Sequence, residues 1–163
     1  MRIAPPSFVD IDTLSGQMRT HLFRPLGPGR FPAVMLFSEI YQMTAPIART
    51  AATIAGKGYL VAVPEVYHEF EPAGTVLAYD KPGTDRGNEL KISKRLEHYD
   101  DDARCLLRFL CQEPGCTGQI GSVGICLGGH LAFRAAMNPE VSAVVCLYAT
   151  DIHKRSLGAG MSD

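Results

Sequence analysis

Four short, largely apolar runs constrain the fold of this chain more than any other feature of its sequence. They are AVMLF at 33–37, YLVAV at 59–63, IGSVGIC at 120–126 and SAVVCLYAT at 142–150. None approaches the roughly 18 apolar residues that a membrane-spanning helix needs. Each has instead the length and the continuous apolar character of a strand that is buried on both faces. We therefore expect four strands of one mostly parallel sheet.

Amphipathic segments separate these runs. The first begins near Thr44, which we expect to cap a helix, has Pro46 in its first turn, and ends at Gly56. The second has an apolar stripe at helical spacing, formed by Tyr99, Ala103, Leu106, Leu107 and Leu110. A third, LGGHLAFRAAM, follows the third apolar run. Strands that alternate with such helices predict an α/β domain with helices on both faces of the sheet.

Two further segments are less regular. QMRTHLFRP at 17–25 alternates loosely between polar and apolar residues, as expected of a half-exposed edge strand. Residues 68–90 contain two prolines and three glycines, and we expect a long irregular connection there. Connections of this length within compact domains are more often functional than not. Because no repeat or linker interrupts the pattern, residues 1–163 are predicted to form a single domain.

The charge balance disfavours several classes of partner. The chain has 16 basic and 17 acidic side chains, and no basic block of the kind that binds nucleic acid or an anionic membrane. The N-terminal stretch MRIAPPSFVDIDTLSG has two prolines and two aspartates where a signal peptide needs an apolar core. These features predict a cytoplasmic protein whose partners include neither nucleic acid nor a membrane.

The cysteines do not form a recognisable framework. There are five, an odd number, and no C-x-x-C pair occurs, so a disulfide scaffold and a structural zinc site are both disfavoured. We interpret Cys105, Cys111 and Cys146 as buried, reduced thiols, and Cys116 as exposed in the turn EPGCTG. Cys126 differs from these four in its surroundings.

Cys126 lies in a glycine frame, Gly124-Ile125-Cys126-Leu127-Gly128, which fits the G-x-S-x-G nucleophile elbow with cysteine in place of serine. The motif requires a strand before it and a helix after it, and both are expected here. Side chains at positions 124 and 128 would collide across so tight a turn, which explains the glycines. The turn directs the first amides of the helix at the sulfur, which favours the thiolate. The amide of Leu127 is then a candidate oxyanion donor.

A carboxylate is expected near this cysteine. Glu39 follows the strand at 33–37, so it lies at the carboxyl edge of the sheet, where ligands bind in parallel α/β folds. Cys126 ends another strand, and both side chains should therefore open onto one crevice. The ordinary alternative is that Glu39 caps the helix that begins near Thr44, or faces water.

Four sequence motifs then occur in a fixed order: FSEIY at 37–41, VAVPEVYHEFEPAGT at 61–75, GTDRGN at 83–88 and GICLGG at 124–129. Together they resemble the dienelactone hydrolase family, whose members have the α/β-hydrolase fold and a cysteine nucleophile. The resemblance extends from the first apolar run through LYATDIHKRS, nearly the whole chain. It implies a hydrolase of small lactones or carboxylic esters that uses no cofactor and no metal.

The resemblance also implies a role for five residues. Cys126 would be the nucleophile, and Glu39 would hold the resting thiol and take part in forming the thiolate. The amides of Leu127 and Ile40 would form the oxyanion hole. Arg86 lies in the region where the family places an arginine that binds a substrate carboxylate. The alignment of that loop is loose, and the alternative for Arg86 is a solvated surface arginine.

The family's pattern is not completed within this sequence. The resemblance implies an aspartate after the next strand and a histidine after the one beyond, but the chain ends about 13 residues past the fourth apolar run. We therefore expect a C-terminally incomplete fold, the N-terminal two-thirds of the family's domain. Asp151 and His153 are the best internal substitutes, because they follow the fourth strand.

Two consequences are expected from this incompleteness. Hydrolysis of an acyl-cysteine would lack a general base, so activity would be impaired, although a thiol can still acylate. One edge of the sheet would be exposed, which predicts self-association through that edge.

Two other interpretations of Cys126 are compatible with the sequence. The glutamine-amidotransferase-like (DJ-1-like) proteins also place a cysteine on an elbow near a glutamate. In a non-catalytic hydrolase scaffold, Cys126 would only fill space and the surface would carry the function.

Overall fold

The computed structural model describes residues 1–160. The predicted single domain extends to residue 163, and its last three residues lie outside the described part. In chain order the elements are β1 Ser7–Thr13, β2 Gly16–Phe23, β3 Phe31–Phe37, α1 Ala45–Ala55, β4 Leu60–Pro64, α2 Lys81–Ser93, α3 Leu96–Gln112, β5 Cys116–Ile125, α4 Leu127–Ala135 and β6 Val141–Leu147, followed by a short 3-10 turn at Ile152–Lys154.

The six strands form one mixed sheet in the order β1-β2-β4-β3-β5-β6. The four strands β4, β3, β5 and β6 run parallel to one another. β1 and β2 form an antiparallel hairpin, and β2 pairs antiparallel with β4. The predicted mostly parallel α/β sheet is therefore confirmed, and its four parallel strands coincide with the four apolar runs.

Helices cover both faces of the sheet, as predicted. Successive residues of β3 alternate between the two cores because a strand has a side-chain period of two. Val34 and Leu36 pack against α1 in one core, while Met35 and Phe37 belong to the larger core on the side of α3 and α4. All four side chains are buried, which is why the strand reads as an unbroken apolar run.

The prediction that residues 17–25 form the edge strand is wrong. β2 is an inner strand, because β1 pairs with it along its length from Ser7↔Leu22 to Thr13↔Gly16. β1 is the true edge, and most of its side chains are exposed. Its sequence, SFVDIDT, follows two prolines and leaves only a weak apolar signal.

The prediction of an irregular connection over residues 68–90 is only partly right. The first half is irregular, but α2 begins at Lys81, with Asp80 as N-cap accepting a hydrogen bond from the amide of Gly83 at 2.8 Å. The buried residues of α2 include Gly83 and Gly87, so this helix packs its backbone closely instead of presenting an apolar stripe. A helix of that kind carries little periodic signal.

β6 is exposed, although its apolar sequence predicted a buried strand. It pairs with β5 alone in residues 1–160, and Val144, Val145 and Leu147 are 40%, 49% and 40% exposed. The expected bare sheet edge is thus present. Cys146 on this strand and Cys111 at the end of α3 are exposed, and Cys116 is buried, so those three burial predictions were wrong. No helix in the described part is both long and apolar enough to span a membrane.

Candidate active site

Cys126 occupies a strained turn between β5 and α4. Its backbone angles are φ 58° and ψ −119°, a conformation that costs energy for any residue other than glycine. The amide of Cys126 donates to the carbonyl of Leu147 at 3.0 Å, and its carbonyl accepts from the amides of Gly129 at 3.0 Å and Thr150 at 3.3 Å. These bonds hold the turn from both sides. The side chain of Cys126 is half-buried and is not enclosed in the core.

Three glycines make this turn possible, as the sequence predicted. A Cβ added at Gly124 would lie 1.7 Å from the carbonyl oxygen of Gly128, and one added at Gly128 would lie 2.1 Å from the carbonyl oxygen of Phe37. A Cβ at Gly129 would lie 2.9 Å from the Cα of Ala149. All three contacts are with backbone, which cannot move aside as a side chain can. The first turn of α4 therefore fits directly against the ends of β3 and β6.

The register of the sheet brings Glu39 to the level of Cys126. Phe37 pairs with Gly124 in the parallel ladder, and Glu39 and Cys126 each follow their paired residue by two positions. Glu39 is half-buried at the carboxyl edge of the sheet. The structure thus places both predicted side chains at one edge and on adjacent strands.

The carboxylate of Glu39 is held by a residue that the sequence did not indicate. The hydroxyl of Tyr79 donates to Oε2 of Glu39 at 2.8 Å, and Oγ1 of Thr44 lies 2.9 Å from the same hydroxyl. Thr44 is the N-cap of α1 by position, but its side chain makes no capping hydrogen bond. The prediction that Thr44 occupies the N-cap position is therefore correct. The predicted capping hydrogen bond is absent, because the hydroxyl of Thr44 contacts Tyr79 instead.

The segment between β4 and α2 is fixed to the turn that carries Glu39. Gln42 is buried in a left-handed conformation with φ 65°, its Nε2 donates to the carbonyl of Thr75 at 3.1 Å, and its Oε1 accepts from the amide of Tyr67 at 3.2 Å. The amide of Leu77 donates to the carbonyl of Tyr41 at 3.1 Å. This long connection is consequently held beside the turn that carries Glu39.

Tyr67 is a further buried residue beside the elbow. Its hydroxyl donates to the carbonyl of Gly87 at 3.2 Å. Burial raises the pKa of Tyr67, and the nearby Cys126 raises it further when its sulfur is charged. Tyr67 therefore stays protonated and links α2 to the segment that follows β4. Its position within the motif VAVPEVYHEFEPAGT was the only sequence signal for it.

The two proposed oxyanion donors lie in suitable elements. Leu127 is the first residue of α4, and the first amides of a helix have no acceptor within it. Ile40 follows Glu39 directly and is buried; a Cβ at Gly87 would lie 2.8 Å from its carbonyl oxygen. The backbone at both positions thus borders the edge where Cys126 and Glu39 lie.

Arg86 lies on α2, next to the glycine that packs against Ile40. Its Nε donates to Oε1 of Glu71 at 2.7 Å, and its Nη1 donates to Oε2 of Glu89 at 3.0 Å. These two carboxylates raise the pKa of Arg86. The guanidinium is part-exposed and already paired, so a substrate carboxylate would have to compete with Glu71 and Glu89.

The structure does not bring the proposed substitutes Asp151 and His153 together. Oδ2 of Asp151 accepts from Nζ of Lys91 at 2.7 Å, and this hydrogen bond lowers the pKa of Asp151. His153 is exposed in the 3-10 turn, and in residues 1–160 no hydrogen bond joins it to Asp151. Asp151 therefore ties the chain after β6 to α2.

A second group of ionisable side chains is buried between α3 and the segment after β4. Nζ of Lys94, which is fully buried, donates to Oδ2 of Asp102 at 2.7 Å and to the carbonyl of Val66 at 2.7 Å, and lies 3.1 Å from Oε1 of Glu69. His68 lies 3.1 Å from Oδ1 of Asp102. Sequence patterns did not reveal this network. Across the described residues, no group of three or more histidines, cysteines and carboxylates is arranged to hold a metal ion.

Comparison with known proteins identifies one family. A sequence profile of the dienelactone hydrolase family matches residues 18–159. A candidate carboxymethylenebutenolidase of Saccharomyces cerevisiae is 45% identical over 163 aligned positions, which cover 96% of this chain and 59% of the yeast protein. The carboxymethylenebutenolidase of Pseudomonas putida is 26% identical over 124 positions, which cover 76% of this chain and 52% of that enzyme.

Solved structures show the same fold. The crystal structure of a candidate dienelactone hydrolase from Klebsiella pneumoniae superposes with a TM-score of 0.74 at 22% identity, over 91% of this chain and 61% of that one. The chain thus spans about three-fifths of the length of the yeast and Klebsiella proteins. The six strands and four α-helices of residues 1–160 correspond to that part of the fold.

Proposed function

The chain belongs to the dienelactone hydrolase family, and from that premise we propose that it hydrolyses a lactone or carboxylic ester through the thiolate of Cys126. The observation that carries the proposal is the strained elbow at φ 58°, level with Glu39 across the ladder from Gly124 to Phe37. A buried cysteine that only fills space would need neither the strain nor the three glycines around it. The family match favours this class over the glutamine-amidotransferase-like proteins.

The proposed first step is acylation. Glu39 takes the proton of the thiol, the sulfur attacks the carbonyl carbon, and a carbon–sulfur bond forms as the carbonyl π electrons move to oxygen. The amides of Leu127 and Ile40 stabilise that oxyanion. The carbonyl then re-forms as the carbon–oxygen bond to the leaving group breaks, and the leaving oxygen takes up the proton that Glu39 had accepted. Water completes the cycle by displacing the sulfur, which regenerates the thiol and releases an acid.

For the substrate, we propose a small lactone or ester that bears a carboxylate. Two relatives are named carboxymethylenebutenolidase, and that name describes a substrate that is a lactone with a carboxyl substituent. Arg86, adjacent to the glycine that contacts Ile40, supplies the charge that would bind the carboxylate. On binding, the substrate would replace Glu71 or Glu89 as the partner of Arg86.

For the 163-residue chain by itself, we propose that acylation outpaces deacylation. The support is that Asp151 is paired with Lys91 and His153 is exposed, so these two residues do not form a carboxylate–histidine pair with each other in residues 1–160. Thiols acylate readily, whereas attack of water on a thioester needs a general base.

The test uses 4-nitrophenyl acetate with the 163-residue chain. We expect a burst of nitrophenolate, close to one equivalent per chain, followed by a slow steady state, and one acetyl group on the peptide that contains Cys126. Cys126→Ala and Cys126→Ser abolish the burst. Cys111→Ser removes another exposed thiol and serves as the matched control, retaining the burst. An unchanged burst in Cys126→Ala refutes the assignment.

We also propose that the chain associates with itself through β6 and resides in the cytoplasm. The first proposal is supported by the outer edge of β6, which no strand in residues 1–160 pairs with, and by the exposed apolar side chains of β6. The second is supported by five cysteines that are all unpaired, as expected in a reducing compartment. Fluorescence microscopy of a tagged chain tests the location, and a secreted or membrane signal would contradict it.

A further inference from the structure

The hydroxyl groups of Thr44 and Tyr79 form a directed chain that ends on Glu39. Tyr79 has a single hydroxyl proton, and it donates this proton to Oε2 of Glu39 at 2.8 Å. The contact of 2.9 Å between Oγ1 of Thr44 and the same hydroxyl therefore uses the proton of Thr44. Both hydroxyl protons thus point toward the carboxylate.

This arrangement leaves α1 without a side-chain cap at its N-terminus. We take this loss as an indication that the hydroxyl of Thr44 has a role outside the helix. Thr44 has the extended backbone of an N-cap, with φ −71° and ψ 164°, yet leaves the first turn of α1 without a side-chain cap. A threonine at this position normally stabilises its helix by accepting a hydrogen bond from one of the first amides. Here its hydroxyl is turned to Tyr79.

The placement of Tyr79 is not explained by burial in the core. The residue is 56% exposed, and its ring contacts that of Tyr41 at a centroid distance of 4.5 Å. Partial burial of the hydroxyl, together with the nearby carboxylate of Glu39, raises the pKa of Tyr79, so it remains a donor at neutral pH. The ring is carried by the segment that Gln42 and the carbonyl of Tyr41 anchor.

We propose that Tyr79 is a positioning residue for Glu39. Its hydroxyl, supported by Thr44, fixes the carboxylate at the edge of the sheet where Cys126 lies, and so couples the docking of residues 74–80 to the reactivity of the thiol. Without Tyr79, the half-exposed carboxylate turns to solvent. The inference rests on the proposed roles of Cys126 and Glu39, and it goes beyond them by adding a residue that acts only through Glu39.

The test measures the rate at which iodoacetamide alkylates Cys126, followed by peptide mass spectrometry across a pH series. We expect Tyr79→Phe to slow alkylation at neutral pH by about tenfold, the size expected for one hydrogen bond to a charged group. Tyr41→Phe is the matched control, because its hydroxyl bonds to Oγ1 of Thr84 and not to Glu39. This control is expected to alkylate at the wild-type rate.

A double-mutant cycle separates positioning from a general effect on structure. Glu39→Gln slows alkylation, and adding Tyr79→Phe to it causes no further loss if Tyr79 acts through Glu39. The inference is overturned if Tyr79→Phe alkylates at the wild-type rate, or slows alkylation equally in the Glu39→Gln background. If Glu39→Gln has no effect, the proposed role of Glu39 fails, and the inference fails with it.

Variants of Thr44, the first hydroxyl in this series of hydrogen bonds, test the inference even if Tyr79→Phe does not fold. Thr44→Val removes the hydroxyl that supports Tyr79 and is expected to slow alkylation of Cys126. Thr44→Ser keeps the hydroxyl and is expected to retain the wild-type rate. Equal rates for Thr44→Val and Thr44→Ser would contradict the inference.

Discussion

Gly124 on β5 is the parallel-sheet partner of Phe37 on β3. This one pairing sets the geometry of the site, because Cys126 and Glu39 each lie two residues beyond it, just past the ends of the two strands. The two strands are far apart in sequence, but a parallel ladder brings their carboxyl ends to the same edge. The first turn of α4 then fits against the end of β3, where only glycine is small enough at position 128.

The first prediction concerns Gly124. An alanine at this position would place its Cβ 1.7 Å from the carbonyl oxygen of Gly128, so the elbow must open. We expect Gly124→Ala to lower the free energy of unfolding by more than about 4 kcal/mol, or to prevent folding. Urea denaturation followed by circular dichroism measures this change.

Gly29→Ala is the control for Gly124→Ala. Gly29 has a positive φ, of 107°, which Gly124 does not have, and a Cβ at Gly29 would meet nothing within 4 Å. Its substitution is expected to cost only about 1 kcal/mol, from backbone strain. Similar losses for the two variants would mean that the collision with Gly128 does not govern the stability of the elbow.

The parallel sheet and the elbow could be predicted from sequence because each produces a recognisable pattern in the local sequence. A strand buried on both faces reads as a continuous apolar run, and the elbow requires glycines at fixed spacing. β1 produces no such pattern, since its side chains are mostly exposed, and neither does α2, which packs through Gly83 and Gly87. The C-terminal apolar run predicted β6 correctly as a strand, but its burial depends on neighbours and not on its own composition.

The parts of the site that escaped prediction depend on contacts between distant residues. Tyr79 and Glu39 are 40 positions apart, and neither the position nor the type of Tyr79 distinguishes it from other tyrosines in the sequence. Thr44 was expected to cap α1 because a threonine before a helix usually does. Its hydroxyl contacts Tyr79 instead, and only the folded structure shows that the two residues are close.

The second prediction concerns the buried Lys94. Its ammonium group lies 2.7 Å from Asp102 and 3.1 Å from Glu69, with no exposure to solvent. We expect Lys94→Met to lower the free energy of unfolding by about 3–5 kcal/mol, because it leaves a buried carboxylate without its cation. Urea denaturation measures the loss.

Two further variants isolate the ion pair. Adding Asp102→Asn to Lys94→Met removes both charges and is expected to recover part of the lost stability. Lys81→Met breaks a pair with Asp85 whose lysine side chain is 85% exposed, and is expected to change stability by less than about 0.5 kcal/mol. A loss for Lys94→Met as small as that for Lys81→Met would refute a structural role for the buried charge.

The third prediction concerns the edge strand β6. Val145 is 49% exposed on β6, whose outer edge has no partner strand among the described residues, and a lysine there would place a charge in any edge-to-edge contact. We expect the wild-type chain to show a molar mass that rises with concentration, and Val145→Lys to remain monomeric. Light scattering coupled to size-exclusion chromatography measures both.

Val76→Lys is the control for Val145→Lys. Val76 is 50% exposed, but it lies in the connection between β4 and α2, away from the sheet edge. It is expected to leave the concentration dependence of the mass unchanged. A monomeric wild-type chain at all concentrations, or equal effects of the two lysines, would contradict self-association through β6.

The fourth prediction concerns the pH dependence of the ion pair between Asp151 and Lys91. The hydrogen bond from Lys91 lowers the pKa of Asp151 below its ordinary value of 3.8, so the folded state binds this proton more weakly than the unfolded state does. The pair therefore contributes stability above the ordinary pKa and loses it as the pH falls through the lower, folded-state pKa. We expect Asp151→Asn to be less stable than the wild type at pH 7. Below about pH 4 that difference should shrink, and it should vanish once the wild-type carboxylate is protonated.

Urea midpoints of the two proteins between neutral and strongly acidic pH measure this convergence. Asp85→Asn is the control, because Asp85 pairs with Lys81 on the open surface and is expected to alter stability by less than about 0.5 kcal/mol throughout. A constant difference between wild type and Asp151→Asn across the acidic range would mean that Asp151 stabilises the chain without its charge. The ion pair with Lys91 would then contribute nothing to stability, and van der Waals packing would hold the segment after β6 against α2.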